Sequence, residues 1–132
     1  MNRYLLDTHT FLWSTFEPRN FELSELAKEA IEDVESELYV SSVTIFEIAN
    51  KYRKSKLSEY RLIAENCIDV VNELGAKELP LDWEQADLAG KMIWDHKDPF
   101  DRMLAAQAKT EDLTLITCDK VFDNVPDVAT LW

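Results

Sequence analysis

Glycine is scarce in this 132-residue chain, at 2 residues, as are proline, at 4, and cysteine, at 2. So few glycines and prolines exclude collagen-like and low-complexity chains. Two cysteines cannot build a disulfide framework, and Cys67 and Cys118 fit no metal or redox spacing. Both read as reduced thiols packed as small apolar side chains in a cytosolic core. No apolar run approaches the ~18 residues that a membrane helix needs. The opening Met1-Asn2-Arg3-Tyr4-Leu5-Leu6-Asp7 meets an acid before a signal-peptide core could form, which predicts an unprocessed, cytoplasmic protein. Positive charge is the remaining shortage. The 14 Lys plus Arg face 26 Asp plus Glu, a net charge of −12. An excess of that sign repels nucleic acid and anionic membranes and counts against a phosphate-bearing substrate.

What is present suits one domain spanning residues 1–132, and 46% hydrophobic content is enough for a core. The charge is unevenly spread. Residues 17–37 carry Glu17, Glu22, Glu25, Glu29, Glu32, Asp33, Glu35 and Glu37 against Arg19 and Lys28. Residues 51–61 carry Lys51, Arg53, Lys54, Lys56 and Arg61 against Glu59. The acidic run reads as a solvated helix face, whereas the basic run is a candidate phosphate contact.

Hydrophobic periodicity places the elements. Arg3-Tyr4-Leu5-Leu6 is a short buried-strand run that stops at Asp7. Leu23, Leu26, Ala27, Ala30, Ile31 and Val34 predict an amphipathic helix over 24–36 with Ser24 as N-cap. Leu38-Tyr39-Val40 is a second strand, and Ser41-Ser42 can cap a helix that buries Ile45, Ile48, Ala49 and Tyr52. Ile63, Cys67, Val70, Val71 and Leu74 form another helical stripe, stopped by Gly75. A third strand is predicted at Ala76–Leu79. A helix follows with Trp83, Ala86, Ala89, Ile93 and Trp94, in which Gly90 would allow close backbone approach. Asp98-Pro99 opens a helix, Leu113–Thr117 is the clearest strand, and a weak strand runs from Asp127 to Leu131. Trp13, Trp83, Trp94 and Trp132 fit core or terminal packing better than base stacking. Strands separated by helices imply parallel pairing and helices on both sheet faces, hence an α/β fold.

Ligands in such folds bind at the carboxyl edge of the strands. Asp7 directly follows the first strand and Asp119 follows the Leu113–Thr117 strand. Glu47 lies about one turn into the helix leaving the second strand, and the helix holding Asp98 and Asp101 begins at the same edge. Each acid also has a local explanation. Asp7 can cap a turn at Thr8-His9, Glu47 can pair with Lys51, Asp98 can cap a helix with Pro99 at its first position, and Asp119 can cap Lys120-Val121-Phe122. Capping does not require four acids around one edge, however. Crowded carboxylates repel unless a cation neutralises them, and an all-oxygen set without paired His or Cys points to Mg2+ or Mn2+. One ion or two would suit the sequence equally. His9 and His96 read as local hydrogen-bonding groups, since no Ser or Cys arrangement forms a nucleophilic triad with them.

The chain resembles PIN-domain proteins, specifically the VapC-type endoribonuclease toxins. The resemblance rests on Leu5-Leu6-Asp7-Thr8-His9 with Leu12-Trp13, and on Ser41-Ser42 followed by Phe46-Glu47-Ile48-Ala49. It continues through His96-Lys97-Asp98-Pro99-Phe100-Asp101-Arg102-Met103-Leu104-Ala105-Ala106-Gln107-Ala108, Leu115-Ile116-Thr117-Cys118-Asp119 and the terminal Leu131-Trp132. The resemblance implies a three-layer α/β/α sandwich around a small parallel sheet, often dimeric. It implies that Asp7, Glu47, Asp101 and Asp119 hold a catalytic Mg2+ or Mn2+, with Asp98 an extra acid and Thr117 a hydroxyl orienting a carboxylate or water. It further implies cleavage of RNA and silencing by a cognate antitoxin. RNA contact would fall to Lys51, Arg53, Lys54, Lys97 and Arg102, a small basic set on a strongly acidic chain. Two other readings compete: a catalytically inactive PIN-like module binding a basic protein partner, and a receiver-like phosphoacceptor. The second expects an adjacent acid pair after the first strand, where Asp7 stands alone.

Overall fold

The computed structural model describes residues 2–132. Its centre is β1 (Arg3–Leu6), where alternate side chains serve opposite sides. Tyr4 and Leu6 enter one apolar cluster and Leu5 enters another. That division makes two cores, one on each sheet face. The first takes Phe11 and Leu12 of α1 (Thr8–Thr15), Ala27 and Ala30 of α2 (Glu25–Glu32), Ile63 of α4 (Arg61–Glu65) and Val71 of α5 (Cys67–Leu74). The second takes Leu104, Ala105 and Ala108 of α7 (Pro99–Thr110) with Phe122 and Val125, and Met92 and Trp94 pack against it after α6 (Trp83–Lys91). The helix α3 (Ser42–Arg53) serves both, through Ile48 on one side and Val43 on the other. The three-layer α/β/α arrangement follows.

Five parallel strands lie in the order β3-β2-β1-β4-β5, where β2 is Glu37–Ser41, β3 Lys77–Leu79, β4 Thr114–Ile116 and β5 Thr130–Leu131. Leu5 is opposite Tyr39 on one side and Leu115 on the other. The chain builds outward from β1 to β3 and then restarts on the other flank with β4. The turning point therefore lies between β1 and β4, where doubly wound sheets leave a crevice at the carboxyl ends.

Local signals set several boundaries. Ser24 accepts from the Ala27 amide as N-cap, Ser41 accepts from the Val43 amide, and Gly75 ends α5 in the left-handed conformation at φ 79°. Elsewhere the structure departs from the sequence reading. α2 stops at Glu32, four residues short, because Asp33 caps a turn through Glu35 N, leaving Val34 94% exposed. The 63–74 stripe is two helices, since Asn66 donates its side-chain amide to the Leu62 carbonyl and leaves helical geometry at φ −131°. In α3, Ala49 and Tyr52 are exposed rather than buried. Gly90 meets nothing within 4 Å of where a Cβ would stand, so no close approach explains it. Trp13, Trp94 and Trp132 do pack against the cores, but Trp83, at the first position of α6, is 93% exposed. Cys67 packs half-buried, and burial pushes its thiol up to about 11. Cys118 is exposed, not a core side chain. No helix among the described residues is long and apolar enough to cross a membrane.

Candidate metal centre

Three of the five acids singled out in the sequence, Asp7, Asp98 and Asp119, are held first by their own local backbone. Asp7 is the N-cap of α1, its Oδ1 accepting from the Thr10 amide at 2.8 Å. Its own amide donates to Ile116 O, which extends the β1–β4 ladder by one residue and points the side chain at the crevice. Asp98 caps α7 through the amides of Phe100 and Asp101, with Pro99 at the first helical position. Asp119 caps the 3-10 turn Lys120–Asn124 through the Val121 amide. Capping and clustering are thus not alternatives, because the caps aim the carboxylates.

The cleft they enclose is ~350 Å3 and is lined by Asp7, Thr8, His9, Trp13, Glu47, Lys51, Asp98, Asp101, Cys118 and Asp119. All four acids of the sequence argument, and Asp98 beside them, therefore share one site. Behind it, the buried Thr117 hydroxyl donates to Asp7 Oδ2 and accepts from the Asp119 amide at 3.0 Å. One hydroxyl thereby couples the two acids that follow adjacent strands. Glu47 accepts from Thr8 Oγ1 at 2.7 Å and from Lys51 Nζ at 2.6 Å.

Charge in the cleft is poorly balanced. Among the described residues, no Lys or Arg pairs with Asp7, Asp98, Asp101 or Asp119; Lys51 serves Glu47 alone, and Asp101 has only His96. Burial raises the Asp7 carboxyl above its ordinary range, against the lowering effect of its hydrogen bonds from Thr117 and Thr10. Burial also pushes Asp101 up to about 6, opposed by His96 and reinforced by the negative Asp98 and Asp119. A nearly buried carboxylate among five acids, with Lys51 on Glu47 alone, makes a site short of positive charge, and its hard oxygen donors match Mg2+ or Mn2+. His96, Asp98 and Asp101 place ligand-type atoms within 4.8 Å of one another.

The basic residues separate into three cases. Lys51 lines the cleft, Arg53 and Lys54 are exposed at the end of α3 and outside its lining, and Lys97 is exposed next to Asp98 in sequence. Arg102, read from sequence as an RNA contact, is committed elsewhere. Its guanidinium donates to the carbonyls of Ala89, Met92, Trp94 and His96 at 2.6–2.9 Å, which commits four of its five N–H groups. Thr8 is a site residue the sequence reading overlooked. Its position four residues before Leu12 and one after the first acid carried no signal until α3 was packed beside α1.

A family profile for the PIN domain matches residues 4–128. No curated protein matches by sequence. Among solved structures, VapBC2 from Rickettsia felis, bound to a DNA fragment from its promoter, is similar at a TM-score of 0.73 and 15% identity, covering 98% of this chain and 97% of that one. VapBC-1 from nontypeable Haemophilus influenzae is similar at 0.69 and 18%, covering 98% and 96%. The FitAcB structure from Neisseria gonorrhoeae is similar at 0.64 and 19%, again covering 98% and 96%.

Proposed function

Because the chain belongs to the PIN domain family, we propose that it is a metal-dependent endoribonuclease acting as the toxin of a toxin–antitoxin pair. The observation that carries this reading is the convergence of Asp7, Glu47, Asp101 and Asp119 in one cleft where, among the described residues, Lys51 balances Glu47 and no Lys or Arg balances the other three. A bound Mg2+ or Mn2+ would supply an activated water and stabilise charge developing on a phosphodiester. Asp7, Glu47, Asp101 and Asp119 would hold the ion, Asp7 and the Asp119 backbone being tied through Thr117. Lys51, which lines the cleft and donates to Glu47, would be the cleft's own positive group for a substrate phosphate. Arg53, Lys54 and Lys97 extend that positive edge along the RNA backbone, which supplies local attraction on a chain of net charge −12.

The partner reading follows from chemistry and from likeness together. The similar solved structures include a toxin–antitoxin complex from Klebsiella pneumoniae, and this chain leaves Phe21 and Leu26 exposed on an acidic stretch suited to a basic antitoxin. A homodimer and a cytoplasmic setting complete the proposal. Protein freed of contaminating nucleases should cleave structured RNA with Mg2+ or Mn2+ and stop with EDTA. Equal cleavage by Asp7→Asn and Asp101→Asn would overturn the mechanism. Absence of any divalent-ion binding would favour the inactive protein-binding module instead.

A further inference from the structure

Residues 92–98 link α6 to α7 without regular secondary structure, and their last member, Asp98, lines the cleft. Such a segment has few backbone hydrogen bonds of its own. Arg102 supplies them. Its Nε donates to Ala89 O at 2.8 Å, Nη1 to Trp94 O at 2.8 Å and His96 O at 2.9 Å, and Nη2 to Met92 O at 2.6 Å. A planar five-donor fork suits several carbonyls at fixed angles, which an ammonium cannot match. Arg102 is also the residue after Asp101 on α7, so the turn that presents the acid also grips the linker.

The gripped segment carries His96. Its ring lies 5.0 Å from that of Trp94, which in turn lies 5.7 Å from the buried Phe122. Backbone and ring are both anchored, and Nε2 is 2.6 Å from Asp101 Oδ2. A carboxylate only accepts, so the imidazole donates from Nε2. The other acids have different supports: Asp7 has Thr10 and Thr117, Glu47 has Thr8 and Lys51, and Asp98 and Asp119 have backbone amides. Among the described residues, the Asp101 carboxylate has His96 alone.

We propose that His96 is a positioning residue: fixed by the grip of Arg102 on four carbonyls, its imidazole holds Asp101 Oδ2 and turns Oδ1 toward the divalent ion. The inference rests on the acids being a cation site, and the test separates the two. Mn2+ binding is measured by titration calorimetry, without RNA, alongside the thermal midpoint of the ion-free protein. His96→Ala should weaken Mn2+ binding about tenfold, the usual scale for an outer partner of a metal ligand. His96 is part-exposed, so the midpoint should hardly move. His96→Gln, which keeps a nitrogen donor of similar reach, should restore most of the affinity. Arg102→Lys should lose affinity as His96→Ala does, and the double variant should be no weaker than the weaker single. Wild-type affinity in His96→Ala, no rescue by Gln, or additive losses would overturn the proposal. Undiminished Mn2+ binding in Asp101→Asn would instead overturn the cation site itself.

Discussion

Thr117 and Asp7, 110 positions apart in sequence, meet in a buried hydrogen bond in which the threonine hydroxyl donates to Oδ2 of the acid. The same oxygen of Thr117 accepts from the Asp119 amide, so one side chain sets the relation between the acids at the ends of β1 and β4. A buried carboxylate that loses a donor keeps its desolvation without compensation. Thr117→Val should therefore destabilise the ion-free protein by about 1–3 kcal/mol at neutral pH. Thr117→Ser should recover most of that loss. Chemical denaturation of the three proteins measures both, and equal stability of the valine variant would contradict the coupling.

Asp101 makes a prediction about pH. Its folded carboxyl is raised to about 6 by burial, above the ordinary value of 3.8. A raised acid favours the folded state fully below the ordinary carboxylate range and loses that contribution as pH climbs through about 6. The full shift corresponds to about 3 kcal/mol, and partial solvent exposure of the side chain reduces the expectation to about 1–2 kcal/mol. Ion-free wild type should thus lose stability relative to Asp101→Asn between pH 4 and 7. Divalent ions bind the ionised form, so the midpoint gained from Mg2+ should grow over the same window and be absent in the variant. A wild-type to variant difference that stays flat with pH would contradict the burial argument.

The exposed end of α3 should contribute through charge alone. Arg53→Glu with Lys54→Glu should raise KM for RNA while leaving kcat nearly unchanged, since neither residue lines the cleft. If both neutralise phosphates, the slope of log affinity against log salt should fall by about 1.4 for a single strand. An unchanged slope would move the RNA path away from this edge.

Packing yields a contrast between two aromatics. Phe122 is 1% exposed, and Phe122→Ala should cost about 3–5 kcal/mol. Trp83 is 93% exposed, and Trp83→Ser should stay within about 0.5 kcal/mol of wild type. Urea midpoints of the two variants decide between this placement and the core role that composition alone suggests for every tryptophan.

Legibility in the sequence followed the range of the interaction. The cap at Ser24, the left-handed stop at Gly75 and the Asp98-Pro99 helix start were legible because each depends on neighbours within a few residues. α1 was not, since its buried residues include the polar Thr8 and Thr10 beside Phe11 and Leu12, so no apolar stripe marks a helical period. Trp83 and Ile93 also misled, because an apolar side chain at helical spacing reads as core whether or not a second surface covers it. Arg102 looked like a phosphate contact, and only the carbonyls of residues 89–96 revealed its engagement.

The linear chain alone determined the alternation of strands and helices, the caps, and the identity of the carboxylates, because those follow from backbone preferences and side-chain chemistry at short range. Tertiary structure decided which of them meet. The order β3-β2-β1-β4-β5 sets β1 beside β4, and that adjacency brings Asp7 to Thr117 and Asp119 across more than a hundred residues. Strand order is a balance of burial and crossover geometry over the whole molecule, which no local run of residues encodes.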